Sequence, residues 1–217
     1  MAIIPQNRQV SLSADIEFLI DPVTNERTLA QAQLKQRFWS IYAPDLEKLC
    51  HQHFKKGSSY SFHVCFVMTK DIDSPEHREK IKRAFVKIVK NHISNTVFCP
   101  DAFRAYVLQD KEGKFLQGRS PNNSPVVLVP KNPDDFKRIN QALAEKLKEL
   151  NTLWNKKYEL ADDLLPEHYT PHITIINRPI LFDLEKKVNK TKKDLLEQLN
   201  AKVPVEAFTL KDHKYQI

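Results

Sequence analysis

Two short apolar segments, each carrying one central histidine, constrain this chain more than any other feature. The first is Phe62-His63-Val64-Cys65-Phe66-Val67 and the second is Pro171-His172-Ile173-Thr174-Ile175-Ile176, with the histidines 109 residues apart. A strand sends successive side chains to opposite faces. His63 and Cys65 therefore share one face, and His172 and Thr174 share one face. Each pair sets an imidazole beside a hydrogen-bonding side chain on a rigid support. Two such strands opening on one cleft would gather two imidazoles and at least one hydroxyl. That set can perform metal-free acid–base chemistry on a phosphate ester.

At 217 residues the chain can form one large domain or two small lobes around a shared core. Only three glycines occur, which excludes Gly-rich phosphate loops and the dinucleotide fingerprint. The formal net charge of +7 and pI near 9.2 suit an anionic partner such as nucleic acid or a nucleotide. A lysine-rich solvated surface explains much of the same excess, because many lysines fall on expected outer helices. Cys50, Cys65 and Cys99 are odd in number and form no CxxC pair. This favours a reducing compartment over a disulfide scaffold or zinc ribbon. No apolar run is long enough to span a bilayer, and the first residues lack a signal-peptide core. The expectation is a soluble, cytoplasmic monomer that does not engage membranes.

Periodicity predicts strands over 15–20, 60–68, 103–108, 126–129, 169–176 and 205–210. Helices are expected from Thr28 to about Tyr42, from Ser74-Pro75-Glu76, from Asn132-Pro133-Asp134-Asp135 and from Asp183. Two of these starts combine a capping side chain, proline in the first turn and an acid near the positive helix end. The order is strand, helix, His-strand, helix, strands, helix, His-strand, helix, strand. No low-complexity linker divides it. The predicted fold is one α+β domain over residues 1–217, with two pseudo-symmetric lobes, each an antiparallel sheet backed by helices, around a central cleft.

The two histidine segments resemble the HxT/S motifs of the 2H phosphoesterase superfamily, which includes the LigT-like 2′-5′ RNA ligases and 2′,3′-cyclic phosphodiesterases. The resemblance in element order runs from about Asp15 to Leu210. Tyr169-Thr170-Pro171-His172-Ile173-Thr174-Ile175 is a close match to the second motif, and His63-Val64-Cys65 departs from the first by a cysteine in place of threonine or serine. The resemblance implies a metal-independent phosphodiesterase that needs no cofactor. Its substrate would be RNA ends, 2′-5′ oligonucleotides or cyclic nucleotide phosphates. It implies His63 and His172 as the catalytic pair, with Thr174 and, less well, Cys65 holding phosphate oxygens.

Other residues carry weaker expectations. Tyr60 and Tyr169 flank the motifs, where each could stack on a base or pack at a cleft edge. Arg178 follows the second motif and could neutralise a phosphate or sit on the surface. His92-Ile93-Ser94 is a competing first motif, but it reads as a helix end. His168 and His172 have metal-binding helical spacing, which Pro171 opposes. Cys65 could also serve as a nucleophile if an imidazolium lowered its pKa. Two further readings stay open: a degenerate 2H domain that binds RNA or a nucleotide without turnover, and an intracellular interaction protein with a basic face. The decisive expectation is geometric. The two imidazoles should face each other across about 5–8 Å, so that one phosphate can bridge them.

Overall fold

The computed structural model describes residues 8–20, 23–24, 27–29, 63–106, 124–176, 191–201, 203 and 207–212. Within them the strands are β1 (Ser11–Ile20), β2 (Arg27–Leu29), β3 (His63–Met68), β4 (Val97–Phe98), β5 (Pro100–Ala105), β6 (Val126–Pro130), β7 (Ile173–Ile176) and β8 (Ala207–Asp212). The helices are α1 (Pro75–Ile93), α2 (Pro133–Trp154) and α3 (Lys192–Asn200), with a 3-10 turn at Asp162–Leu164. The fold class is α+β. Seven strands run in the order β4-β8-β1-β3-β7-β6-β5, every pairing is antiparallel, and β2 adds to β1. The two ends of this path, β4 and β5, are separated in the chain by Cys99 alone. One stretch of chain thus supplies both ends, and the sheet curls until it is nearly closed.

The strands form one continuous sheet, where the sequence suggested two. The seam is the β3–β7 junction, registered through the single pair Val64↔Ile173. Strands β4, β8, β1 and β3 lie on one side of it, and β7, β6 and β5 on the other. Both seam residues are fully buried.

Helices α1 and α2 pack against each other; α1 also lies on β8 and β1, α2 on β3, and α3 on β5. Local chemistry explains their ends. Ser74 accepts a hydrogen bond from the His77 backbone N–H at 3.2 Å, with Pro75 in the first turn. Helix α2 starts at Pro133 with Asp134 and Asp135 in its first turn, and it ends at Asn155 in the left-handed conformation, φ 49°. A capping box of Thr191 and Asp194 starts α3. Phe136, Ile139, Leu143 and Leu147 recur at helical spacing and bury one face of α2. Phe136 meets Phe98 at 5.6 Å between ring centroids and Phe66 at 6.4 Å, and Phe98 stacks on Phe208 at 5.8 Å. These rings join α2 to β3 at the seam and to β4 and β8 at the end of the sheet.

Several element expectations change. Residues 28 and 29 belong to strand β2, not to a helix. Pairing with Leu19 and Phe18 of β1 overrides their local propensity. Strand β5 begins at Pro100, and β4 is an additional short strand. The second histidine strand is shorter than expected, since 169–172 approach β7 without joining it. The remainder of the expected helix after Thr28, residues 60–62 of the first histidine strand and the start of the helix at Asp183 lie outside the described residues.

Candidate active site at the strand seam

The seam places the two motifs side by side. Val64 and Ile173 are direct antiparallel partners and both face the core. Continuing that register by one residue each way puts His63 opposite Thr174 and Cys65 opposite His172. By alternation all four share the face opposite Val64 and Ile173, and each is half-buried, Cys65 packing in addition against the main core. On that register His63 and His172 are diagonal neighbours, a relation that separates backbones by about 7–8 Å. Each imidazole thus sits across from the small polar residue of the other motif.

The row through His63 extends on both sides. Asp15 of β1 is the direct partner of His63. On the far side, Val127 is the partner of Thr174, and Arg104 is the partner of Val127. One face therefore carries Asp15, His63, Thr174, Val127 and Arg104 in a line across five strands. The next row holds Ser13, the partner of Cys65. Asp15 and Arg104 escaped notice in the sequence because their relevance comes from pairing register, which no local pattern reveals.

His172 is held firmly. Its Nδ1 lies 2.7 Å from the Thr170 carbonyl oxygen. A carbonyl only accepts, so Nδ1 carries a proton, and Nε2 is the nitrogen that gains or loses one. Tyr106 packs on the imidazole with ring centroids 4.2 Å apart. Tyr106 was also not anticipated, since it lies at the end of β5, far from both motifs in sequence.

Cys65 sits beside the carbonyl oxygen of Val67, 3.7 Å from its Sγ. Burial is the main cause that pushes its pKa up from 9.0 to about 11. The thiol is therefore protonated at neutral pH, which opposes the nucleophilic role and leaves a weak hydrogen-bond donor. Tyr169 departs from the expected base-stacking role. It is 3% exposed, and its hydroxyl donates to the Cys65 carbonyl oxygen at 3.1 Å. Its ring packs in the core and borders the adjoining cavity, while its hydroxyl ties the second motif to β3. Tyr60 and Arg178 lie outside the described residues. His92 is exposed in the last turn of α1, with Ser94 as its cap, so His92-Ile93-Ser94 is a helix end. His168 ends a turn and Pro171 follows in extended chain, so His168 and His172 share no helical face.

A cavity of 580 Å³ adjoins this face. Val127, Val129, Ala105 and Tyr106 contribute to its lining, as do Thr170 and Pro171 immediately before His172. Arg104, Lys131 and Lys137 bring positive charge to it, against Asp101 and Glu167.

The chain is similar to part of the large tegument protein deneddylase of Human herpesvirus 6B (strain Z29), with 24% identity over 214 residues. The match covers 88% of this chain and 10% of the viral protein. The chain thus spans about a tenth of the length of the curated relative it matches. No family model matches the chain, and no solved structure matches it. No described helix is long and apolar enough to cross a membrane.

Proposed function

We propose that this chain is a metal-independent phosphodiesterase of the 2H type, acting on RNA ends, 2′-5′ oligonucleotides or cyclic nucleotide phosphates. The observation that supports it is the Val64↔Ile173 register at the seam. That single pairing aligns two motifs 109 residues apart in sequence, and strand alternation continued from it carries both histidines to one face. A diagonal relation across two strands leaves a backbone separation of about 7–8 Å, short enough for two imidazoles to reach one phosphate.

In this reading the neutral imidazole takes a proton from water or from a ribose hydroxyl. The protonated one gives a proton to the leaving oxygen. Thr174 donates its hydroxyl to a nonbridging oxygen as charge develops, and Cys65 offers the weaker thiol. The Thr170 carbonyl fixes the His172 ring, so Nε2 meets the substrate. Asp15 stands where a carboxylate can orient His63. The viral relative's name describes a protein of which this stretch matches 10%, and the protonated Cys65 does not suit thiolate chemistry.

The test is hydrolysis of a 2′,3′-cyclic nucleotide by the purified chain in excess chelator. Turnover that survives chelation and disappears in His63→Ala and in His172→Ala is the expected result. Turnover that needs added metal, or persists without either histidine, overturns the reading. Nucleotide binding without turnover would select the degenerate, binding-only alternative.

A further inference from the structure

The cavity beside His172 has a different character from the seam itself. Its floor includes Val127 and Val129, which form a small apolar cluster with Tyr106 on the face away from the main core. Around that floor stand three cations, Arg104, Lys131 and Lys137, against two carboxylates, Asp101 and Glu167. Arg104 spends part of its charge on Asp101 at 3.2 Å, yet its side chain remains 64% exposed. An apolar floor with a cationic rim is the combination that accepts a base or sugar together with its phosphate.

The position is as informative as the composition. Thr174, Val127 and Arg104 are successive partners across β7, β6 and β5. Neighbouring strands lie about 4.8 Å apart, so Arg104 stands about 10 Å from Thr174 along a straight row. The long guanidinium arm can reach the phosphate held at Thr174 or the one beside it, and the row runs from Thr174 into the cavity that Val127 and Arg104 line. Tyr106 walls the cavity while its ring packs on His172 at 4.2 Å. Thr170 and Pro171, immediately before His172, line the same cavity.

We infer that the cavity is a subsite for the nucleotide flanking the scissile phosphate, which makes the preferred substrate an oligonucleotide end and not a cyclic mononucleotide. The inference rests on the phosphodiesterase reading for its catalytic consequence, but its binding consequence is separate.

Two probes distinguish them: adenosine 2′,3′-cyclic monophosphate, and a fluorescein-labelled RNA tetranucleotide ending in a 2′,3′-cyclic phosphate. The quantity read is the ratio of kcat/KM for the tetranucleotide to that for the mononucleotide. In Lys131→Glu/Lys137→Glu this ratio should fall about tenfold or more, since two cations lining the cavity are reversed, Lys137 lying 4.0 Å from Asp134. Lys87→Glu/Lys90→Glu, an exposed double reversal on α1 and here the Lys87 variant, controls for overall charge. An unchanged ratio, or an equal fall in the Lys87 variant, overturns the subsite. If neither probe turns over, the phosphodiesterase reading fails. The subsite is then decided by fluorescence polarisation with the labelled tetranucleotide ending in a 3′-phosphate. Binding at least about tenfold weaker in the double reversal than in the Lys87 variant supports it, and equal binding rejects it.

Discussion

At the residue scale, Cys65 is where the chain departs from the motif it resembles, and its surroundings say what that departure does. A thiol held protonated by burial, beside a backbone carbonyl, cannot attack and donates only weakly. Cys65→Thr should therefore raise turnover, by up to about tenfold for roughly one kcal/mol of better hydrogen bonding. Steady-state kinetics on a cyclic nucleotide checks this, and a fall in kcat would assign Cys65 to a specialised substrate. The same burial predicts a pH effect on stability. The Cys65 pKa is raised to about 11, and that of Tyr158 to about 12, by burial and then by its hydrogen bond to Asp73. A group whose folded pKa is raised contributes stability that is complete below its unfolded pKa and is lost as pH rises through the folded value. Urea midpoints should hold up to about pH 9 and fall progressively toward pH 12. Cys65→Ala should flatten the part of that fall between about pH 9 and 11. An unchanged slope in Cys65→Ala would show that the sulfur is not desolvated.

At the element scale, α2 is the brace that keeps the two motifs aligned. Asn140 is fully buried on it. Its Nδ2 donates to the Phe66 carbonyl at 2.8 Å and to the Leu164 carbonyl at 3.0 Å. Phe66 is the extra residue in β3, where the register against β1 shifts between Leu12 and Ser13. Leu164 ends the 3-10 turn that leads toward the second motif. One side chain thus pins the first motif strand to the approach of the second. Asn140→Leu leaves both carbonyls buried without a donor, so it should cost about 1–3 kcal/mol in chemical unfolding. Tyr169→Phe removes only the bond to the Cys65 carbonyl and should cost about 1 kcal/mol with the fold intact. Equal stability of Asn140→Leu and wild type would remove the brace. These examples mark what the sequence could carry. The starts of α1 and α2 were legible because proline and acids act within the first turn; Ser74 caps α1 as expected, whereas Asn132 caps nothing on α2 and bonds Cys99, Val97 and Asp135 instead. Asn140 was not, because a polar residue on an apolar helix face gives no sign of its distant partners. Strand β2 was misread for the same reason: pairing with β1 decided its state, and no local propensity announces that.

At the scale of the whole molecule, the sheet is two groups of strands joined at one registered pair, and the candidate site lies across that join. The histidine segments were readable as strands because each alternates apolar and polar residues, and their common face followed from period two. Their adjacency was not readable, since it depends on a β3–β7 junction between residues 109 apart. Nor was the single continuous sheet, because its near closure depends on one stretch of chain serving both ends. Placement on opposite sides of the seam has a kinetic consequence. If His63 and His172 act as acid and base on one phosphate, they serve a single step and neither can work alone. Each alanine variant should then remove nearly all turnover, and the double variant should be no slower than the slower single one. Two residues contributing independently would instead multiply their losses. The pH dependence offers a second readout of the same coupling. Wild-type kcat/KM should be bell-shaped around neutral pH, with limbs that belong to the pair, and residual activity in either single variant should lose the bell. Rates for the wild type, both single variants and the double variant across pH 5–9 carry the whole test. Multiplicative losses, or a bell retained after removing one imidazole, would mean that the seam does not bring the two histidines onto one phosphate.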